Sequence, residues 1–223
     1  SFKSLKMHNK LNHRNFSHWI FDLDNTLYPE DDDIFGQVKK KIIKFISIKL
    51  DLNLSDADKE RQRLYNQYGT SLRGLMNEYD IIPNDFLEYV HDIDLSNICK
   101  NLELDRALKN INGDKYIFTN GSFKHAENIL NILGISDNFK SIHSIETSDY
   151  IPKPSQEAYN SIIQKENVLT HKAVMFEDTA WNLKTAKNLG ITTVLIVSKN
   201  DLLENNKNDY IDYYTTDLVE FLK

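Results

Sequence analysis

The chain has 223 residues, 40% of them hydrophobic and 27% charged, the balance of a soluble globular protein with one core domain and room for a small accessory one. A net charge of −6 argues against a nucleic-acid polymer as partner, while leaving room for a local basic pocket that takes one anion. Cys99 is the only cysteine, which excludes an intramolecular disulfide and a cysteine-built zinc site; it is expected to be a small packed residue in a reducing compartment.

In chain order, Ser1 to Ser17 is polar and basic and lacks the apolar stretch of a secretory signal, so a poorly ordered lead-in is expected over 1–17, with a transit peptide as the alternative. No apolar run approaches the roughly 18 residues of a membrane span, and a cytoplasmic location with no membrane partner is the simplest expectation. His18-Trp19-Ile20-Phe21 is the first of four short apolar runs that read as buried parallel strands. The others are Lys115 to Phe118, Ala173 to Phe176 and Thr193 to Val197, with Ser141 to Ile145 a further candidate. Between them lie amphipathic helical patterns: Ser122 to Leu133 stopped by Gly134, Ser155 to Glu166 after Pro154, and Thr179 to Leu189 stopped by Gly190. Strand and helix alternating from about residue 114 imply an α/β fold, a Rossmann-like parallel-sheet core.

From Pro29 to Asn112 that rhythm breaks. Ile34 to Leu50 is strongly amphipathic, and Ser55-Asp56-Ala57-Asp58 approximates an N-cap signal for a helix running to Tyr68. Ser71 to Tyr79 and Pro83 to His91 are further helical stretches. So long an interval between adjacent strands predicts an inserted helical cap domain over 29–112, with the core at 18–28 and 113–223.

Ligands of open parallel sheets sit beyond the carboxyl ends of the strands, so the polar residues there are the ones to weigh. Asp22 and Asp24 follow the first strand, two apart and therefore able to face one ligand: one suited to nucleophilic attack on phosphorus, the other to proton transfer. An Asp-x-Asp-Asn turn is the plain alternative. Thr119-Asn120-Gly121-Ser122 follows the second strand and opens a helix, which makes either a phosphate cradle or ordinary N-capping. Lys153 stands between Pro152 and Pro154, a cation in a fixed place that could neutralise a phosphate oxygen and keep Asp22 ionised, or a surface lysine. Glu177 and Asp178 end a further strand as an oxygen-rich magnesium site or as acidic caps of the next helix.

The joint order of these motifs resembles the haloacid dehalogenase superfamily from about Trp19 to Val197. The resemblance implies that Asp22 forms an aspartyl-phosphate, Asp24 acts as general acid and base, and Thr119 and Lys153 hold the phosphoryl group. It also implies Mg2+ bound by Asp22, the backbone carbonyl of Asp24, and Asp178, with Glu177 binding directly or through water. Superfamily dehalogenases lack a carboxylate at the position of Asp24, because halide leaves without a proton; its presence points to phosphoryl chemistry. Asn182 stands where many relatives have a second carboxylate.

Phe21 to Pro29, Tyr68 to Leu75 and His91 to Leu95 resemble the pyrimidine 5'-nucleotidase subgroup. The substrate implied is a small phosphate ester, a nucleoside monophosphate such as UMP or CMP, with Asn120, Gly121, Tyr68, Arg73 and His91 as binding residues. Residue by residue, Tyr68 could equally be a core tyrosine, Arg73 a surface salt bridge and His91 a helix end. Phosphatases of phosphoglycolate or sugar phosphates, a β-phosphoglucomutase-like isomerase and a non-catalytic scaffold are the other readings. A monomer or homodimer is expected, with hinges near Pro29 and Asn110 to Gly113.

Overall fold

The computed structural model describes residues 11–30, 33–198 and 208–223. Six strands form one parallel sheet: β1 (His18–Phe21), β2 (Asp114–Phe118), β3 (Ser141–His143), β4 (Ala173–Glu177), β5 (Thr192–Ile196) and β6 (Tyr213–Thr215). Their order across the sheet is β3-β2-β1-β4-β5-β6, so the chain winds outward from β1 in both directions and β1 lies between β2 and β4. β6 was not anticipated: its half-buried Tyr-Tyr-Thr at the sheet edge carries no apolar run to mark it.

Side chains of a strand alternate between the two faces of the sheet, and both faces are covered, as a parallel sheet requires. Trp19, Phe21, Ile117, Val174 and Phe176 point to one core, which also takes helices α5 (Leu102–Asn110), α6 (Phe123–Leu133) and α9 (Leu218–Leu222). Ile20, Tyr116, Phe118 and Met175 point to the other, covered by α7 (Gln156–Glu166) and α8 (Ala180–Asn188). Phe21 stacks on Phe176 with ring centroids 4.7 Å apart, pinning β1 to β4 directly beneath the ends that carry Asp22 and Glu177.

A separate apolar cluster joins α1 (Ile34–Leu50), α2 (Leu54–Tyr68), α3 (Ser71–Tyr79) and α4 (Pro83–Val90). Phe45 of α1 meets Phe86 of α4 edge to face at 5.2 Å. Gly74 lets α3 approach α2, because a Cβ there would stand 2.6 Å from Leu64 Cδ2 and 2.8 Å from its Cβ. The cluster touches the sheet domain through Ile145 and Tyr150.

Four expectations need correction. The segment 29–112 does not act as one helical body, since α5 buries Leu104, Ala107 and Leu108 against the sheet. The N-cap of α2 is Asn53, two residues before the Ser55 signal; its side chain accepts the Asp56 N–H at 2.9 Å and so satisfies one of the free amides of the first turn. Leu11 is buried and Phe16 packs on Trp19, so the lead-in is anchored from residue 11, while 1–10 lie outside the described residues. Cys99, expected to pack, is exposed. Among the described residues no helix is long and apolar enough to cross a membrane.

Candidate active site

The carboxyl ends of β1, β2 and β4 open into a cavity of about 360 Å³ whose far wall is the helical layer. Asp22, Asp24, Thr119, Asn120, Gly121, Lys153, Glu177, Asp178 and His91 all line it. These positions are scattered along the sequence, and the β3-β2-β1-β4 order places their strand ends side by side.

Lys153 organises the centre. Its side chain is 1% exposed, and its ammonium donates to Asp22 Oδ1 at 2.8 Å, to Glu177 Oε1 at 2.8 Å and to the carbonyl of Phe118 at 2.7 Å. Burial alone would lower the lysine pKa, but Asp22 and Glu177 hold it above the ordinary value, so the group is charged. All three N–H donors are committed here to protein oxygens. The loop that carries it is clamped by Asn120, whose amide accepts the Lys153 N–H at 2.8 Å and donates to the Lys153 carbonyl at 3.2 Å. The Asn120 side chain is therefore a brace for Lys153 while it lines the cavity.

Asp22 completes its coordination with Thr26, whose hydroxyl donates to Oδ2 at 3.1 Å. Burial and then the neighbouring Glu177 push the Asp22 carboxyl up to about 7, against the pull of Lys153. Asp178 is pushed up to about 9 by burial, Asp22 and Glu177. Glu177 is the most constrained acid: Oε1 accepts from Lys153 and from Asn182 Nδ2, and Oε2 accepts the Thr179 N–H at 2.9 Å. Asn182, where a second carboxylate was missed, thus orients Glu177.

Oxygens of Asp22, Glu177 and Asp178 lie within 4.8 Å of one another. Fully ionised, three carboxylates against one ammonium leave two negative charges in a buried site, and the raised pKa values of Asp22 and Asp178 express that excess. A hard divalent cation with oxygen ligands fits this donor set and this charge.

Asp24 lies in a different environment. Its Oδ1 accepts from Nε2 of His125 at 2.8 Å and from the Tyr28 hydroxyl. Burial would raise this carboxyl, but the charge and hydrogen bond of His125, joined by Tyr28, outweigh it and hold the group at about 2. His125 is correspondingly raised by Asp24 despite its burial. Thr119 Oγ1 accepts the Gly121 N–H at 2.9 Å, and a Cβ on Gly121 would crowd that oxygen at 3.2 Å, so a side chain there would need the hydroxyl to shift.

Two expected substrate residues stand elsewhere. Tyr68 does not line the cavity: it packs at the edge of the helical cluster and donates its hydroxyl to Glu78 at 2.8 Å. Arg73 is likewise outside the cavity lining, and its backbone N–H is capped by Thr70. The helical layer instead contributes Phe35 and Lys39 from α1 and Arg61 and Tyr65 from α2. The residues missed were His125 and Tyr28. Tyr28 lies four after Asp24, and His125 lies three after the N-cap Ser122, in the helix turn that faces the ligand end; that placement was the available signal.

The chain belongs to the haloacid dehalogenase-like hydrolase family, whose model matches residues 17–190. Among characterised relatives it is similar to phosphate metabolism protein 8 of Saccharomyces cerevisiae, with 25% identity over 228 aligned positions that span 91% of this chain and 70% of the yeast protein. Among solved structures, the fold matches a phosphatase of the same family from Thermococcus onnurineus (TM-score 0.59, 20% identity, 89% of this chain and 93% of the other). It also matches an L-2-haloacid dehalogenase of Xanthobacter autotrophicus (TM-score 0.58, 11% identity, 93% and 97%).

Proposed function

We propose that this hydrolase is a magnesium-dependent phosphomonoesterase working through an aspartyl-phosphate on Asp22, with a nucleoside 5'-monophosphate as the favoured substrate and pyrimidine nucleotides first among them. The observation that carries the reading is the pairing of Asp22, bound by Lys153 beside an acid cluster, with a second carboxylate, Asp24, held by a histidine. Halide release would need no group at Asp24, whereas an alkoxide leaving group needs a proton.

In this reading Mg2+ is held by Asp22, the Asp24 carbonyl and Asp178, and Glu177, whose oxygens are already engaged, acts through water. Bound there, the ion supplies charge neutralisation for an anion attacking an anion. The protein supplies the rest. Lys153 and Thr26 fix the Asp22 carboxylate so that one oxygen faces phosphorus. Thr119 and the backbone N–H groups of Asn120 and Ser122 receive the phosphoryl oxygens, the Thr119 and Gly121 N–H groups being engaged within the fold. Attack by Asp22 forms the O–P bond as the ester O–P bond breaks, and the leaving oxygen takes its proton from the Asp24–His125 pair. Asp24 then takes a proton from water as that water attacks phosphorus and frees Asp22. Phe35 and Tyr65, both about half exposed at the cavity wall, suit a flat apolar leaving group, and Lys39 and Arg61 beside them suit a polar one. Helices α1 to α4 form the cap, and with α5 on the core the second hinge falls between His91 and Asn101.

The test is a panel of UMP, CMP, AMP, sugar phosphates, phosphoglycolate and an aryl phosphate, with Mg2+ and with chelator. Phosphate release from UMP or CMP that is lost in EDTA and in Asp22→Asn is the expected result. No release from any ester refutes the phosphatase reading; release confined to sugar phosphates or phosphoglycolate refutes the nucleotidase reading alone.

A further inference from the structure

We propose that His125 is a positioning residue that fixes the carboxylate of Asp24 for proton transfer, and that His91, stacked on it from the helical layer, makes this positioning complete only when that layer is seated. The inference rests on the phosphatase reading above and assigns a device within the same site.

A carboxylate on a short side chain after a turn can rotate about two torsions, and a general acid is effective only when its oxygen is aimed at the leaving group. Asp24 precedes Asn25, which turns the chain through a positive φ of 61°, so the backbone alone does not set its direction. Two donors converge on one oxygen: Nε2 of His125 at 2.8 Å and the hydroxyl of Tyr28. This leaves Oδ2 as the oxygen turned to the phosphate loop, 3.6 Å from where a Cβ on Gly121 would stand. The two donors arrive from different directions, one along the chain and one from the next helix, and together they remove the rotational freedom.

His125 is itself held on two sides. Its backbone N–H, in the first turn of α6, is capped by Ser122 Oγ at 3.1 Å, and the residue is 2% exposed. Its ring lies against that of His91, with centroids 4.3 Å apart and planes at 11°. His91 is the C-terminal cap of α4, and its Nδ1 lies 3.1 Å from the same Ser122 hydroxyl. That hydroxyl accepts from the His125 backbone, so its single proton is available to His91 Nδ1. One serine therefore ties the helical layer and the first turn of α6 together, with the two rings stacked between them. Withdrawal of α4 removes one wall of the His125 ring and with it the firm orientation of Asp24.

The experiment measures kcat/KM of the magnesium-loaded protein on two esters: p-nitrophenyl phosphate, whose leaving group needs little protonation, and the best alkyl phosphate of the panel. His125→Ala is expected to lose about a hundredfold on the alkyl ester and only about threefold on the aryl ester, because a misplaced general acid harms the poor leaving group most. His125→Gln, which keeps a side-chain N–H, is expected to recover to within about tenfold of wild type on the alkyl ester. His91→Ala should show the same leaving-group dependence at smaller size, and His91→Phe, which keeps a flat ring, should retain most activity. Equal losses on both esters, or no loss in either histidine variant, overturn the inference. Should His125→Ala fail to fold, the Gln and His91 variants decide by the same ratio. A wild-type protein inactive on every ester would instead sink the phosphatase reading; a crystal structure of His91→Ala, or of His125→Ala where it folds, with Asp24 in its single wild-type rotamer would then overturn the positioning role by itself.

Discussion

Replacing Lys153 by methionine removes the ammonium that Asp22 and Glu177 share at the buried end of the sheet. Methionine fills the same volume, so the change is electrostatic before it is steric. Breaking a buried charge pair by deleting one partner costs about 3–5 kcal/mol, because the remaining charge keeps its desolvation penalty. Here two contacting carboxylates and the Phe118 carbonyl lose a donor together, which places the expectation in that range. Asp22 and Asp178 already stand at about 7 and about 9, above their unfolded values, and loss of the cation moves them higher. A carboxyl whose folded pKa is raised binds protons more tightly in the folded state, so stability falls as pH rises from the unfolded value toward the folded one. The penalty of Lys153→Met is therefore small near pH 5 and grows as pH rises through about 7 to about 9 and above. Urea unfolding followed by circular dichroism in EDTA, at both pH values, measures it, and Lys153→Met/Asp22→Asn should regain part of the loss. A cost below about 1 kcal/mol at pH 9, or one that does not change with pH, would refute the reasoning.

Asp22→Asn should lose phosphate release by about a thousandfold or more, yet melt at a higher temperature than wild type in EDTA, since it relieves the crowding of acids; a lower melting temperature there counts against the charge argument. Magnesium affinity, read by titration calorimetry, should strengthen from pH 6 to pH 9 as Asp22 and Asp178 give up protons, by up to about tenfold per pH unit for each proton released. A flat profile would mean that neither group binds the ion. Gly74→Ala should cost about 1–3 kcal/mol by driving a Cβ into Leu64, measured by denaturant midpoint, and an unchanged midpoint would mean that α2 and α3 can part without penalty.

The apolar runs at 18–21, 115–118, 173–176 and 193–197 were legible as strands because both faces of a parallel sheet are buried, so nearly every residue must be apolar. β6 and the packing of α5 were not, because their burial comes from partners distant in sequence. Asp22, Asp24, Lys153, Glu177 and Asp178 stood out for the same local reason: each is a charged group placed immediately after an apolar strand or between prolines. Tyr68 and Arg73 stood in a segment that resembled the site, but a helix presents different residues on each side, and the face toward the cavity carries Arg61 and Tyr65 instead. The sequence determined which side chains could do the chemistry. Only the tertiary structure decided who holds them: His125, about a hundred positions from Asp24, fixes that carboxylate at 2.8 Å, and Asn120 spends its amide on the Lys153 backbone. Such pairings depend on strand order and helix placement, which bring together residues that no local pattern links.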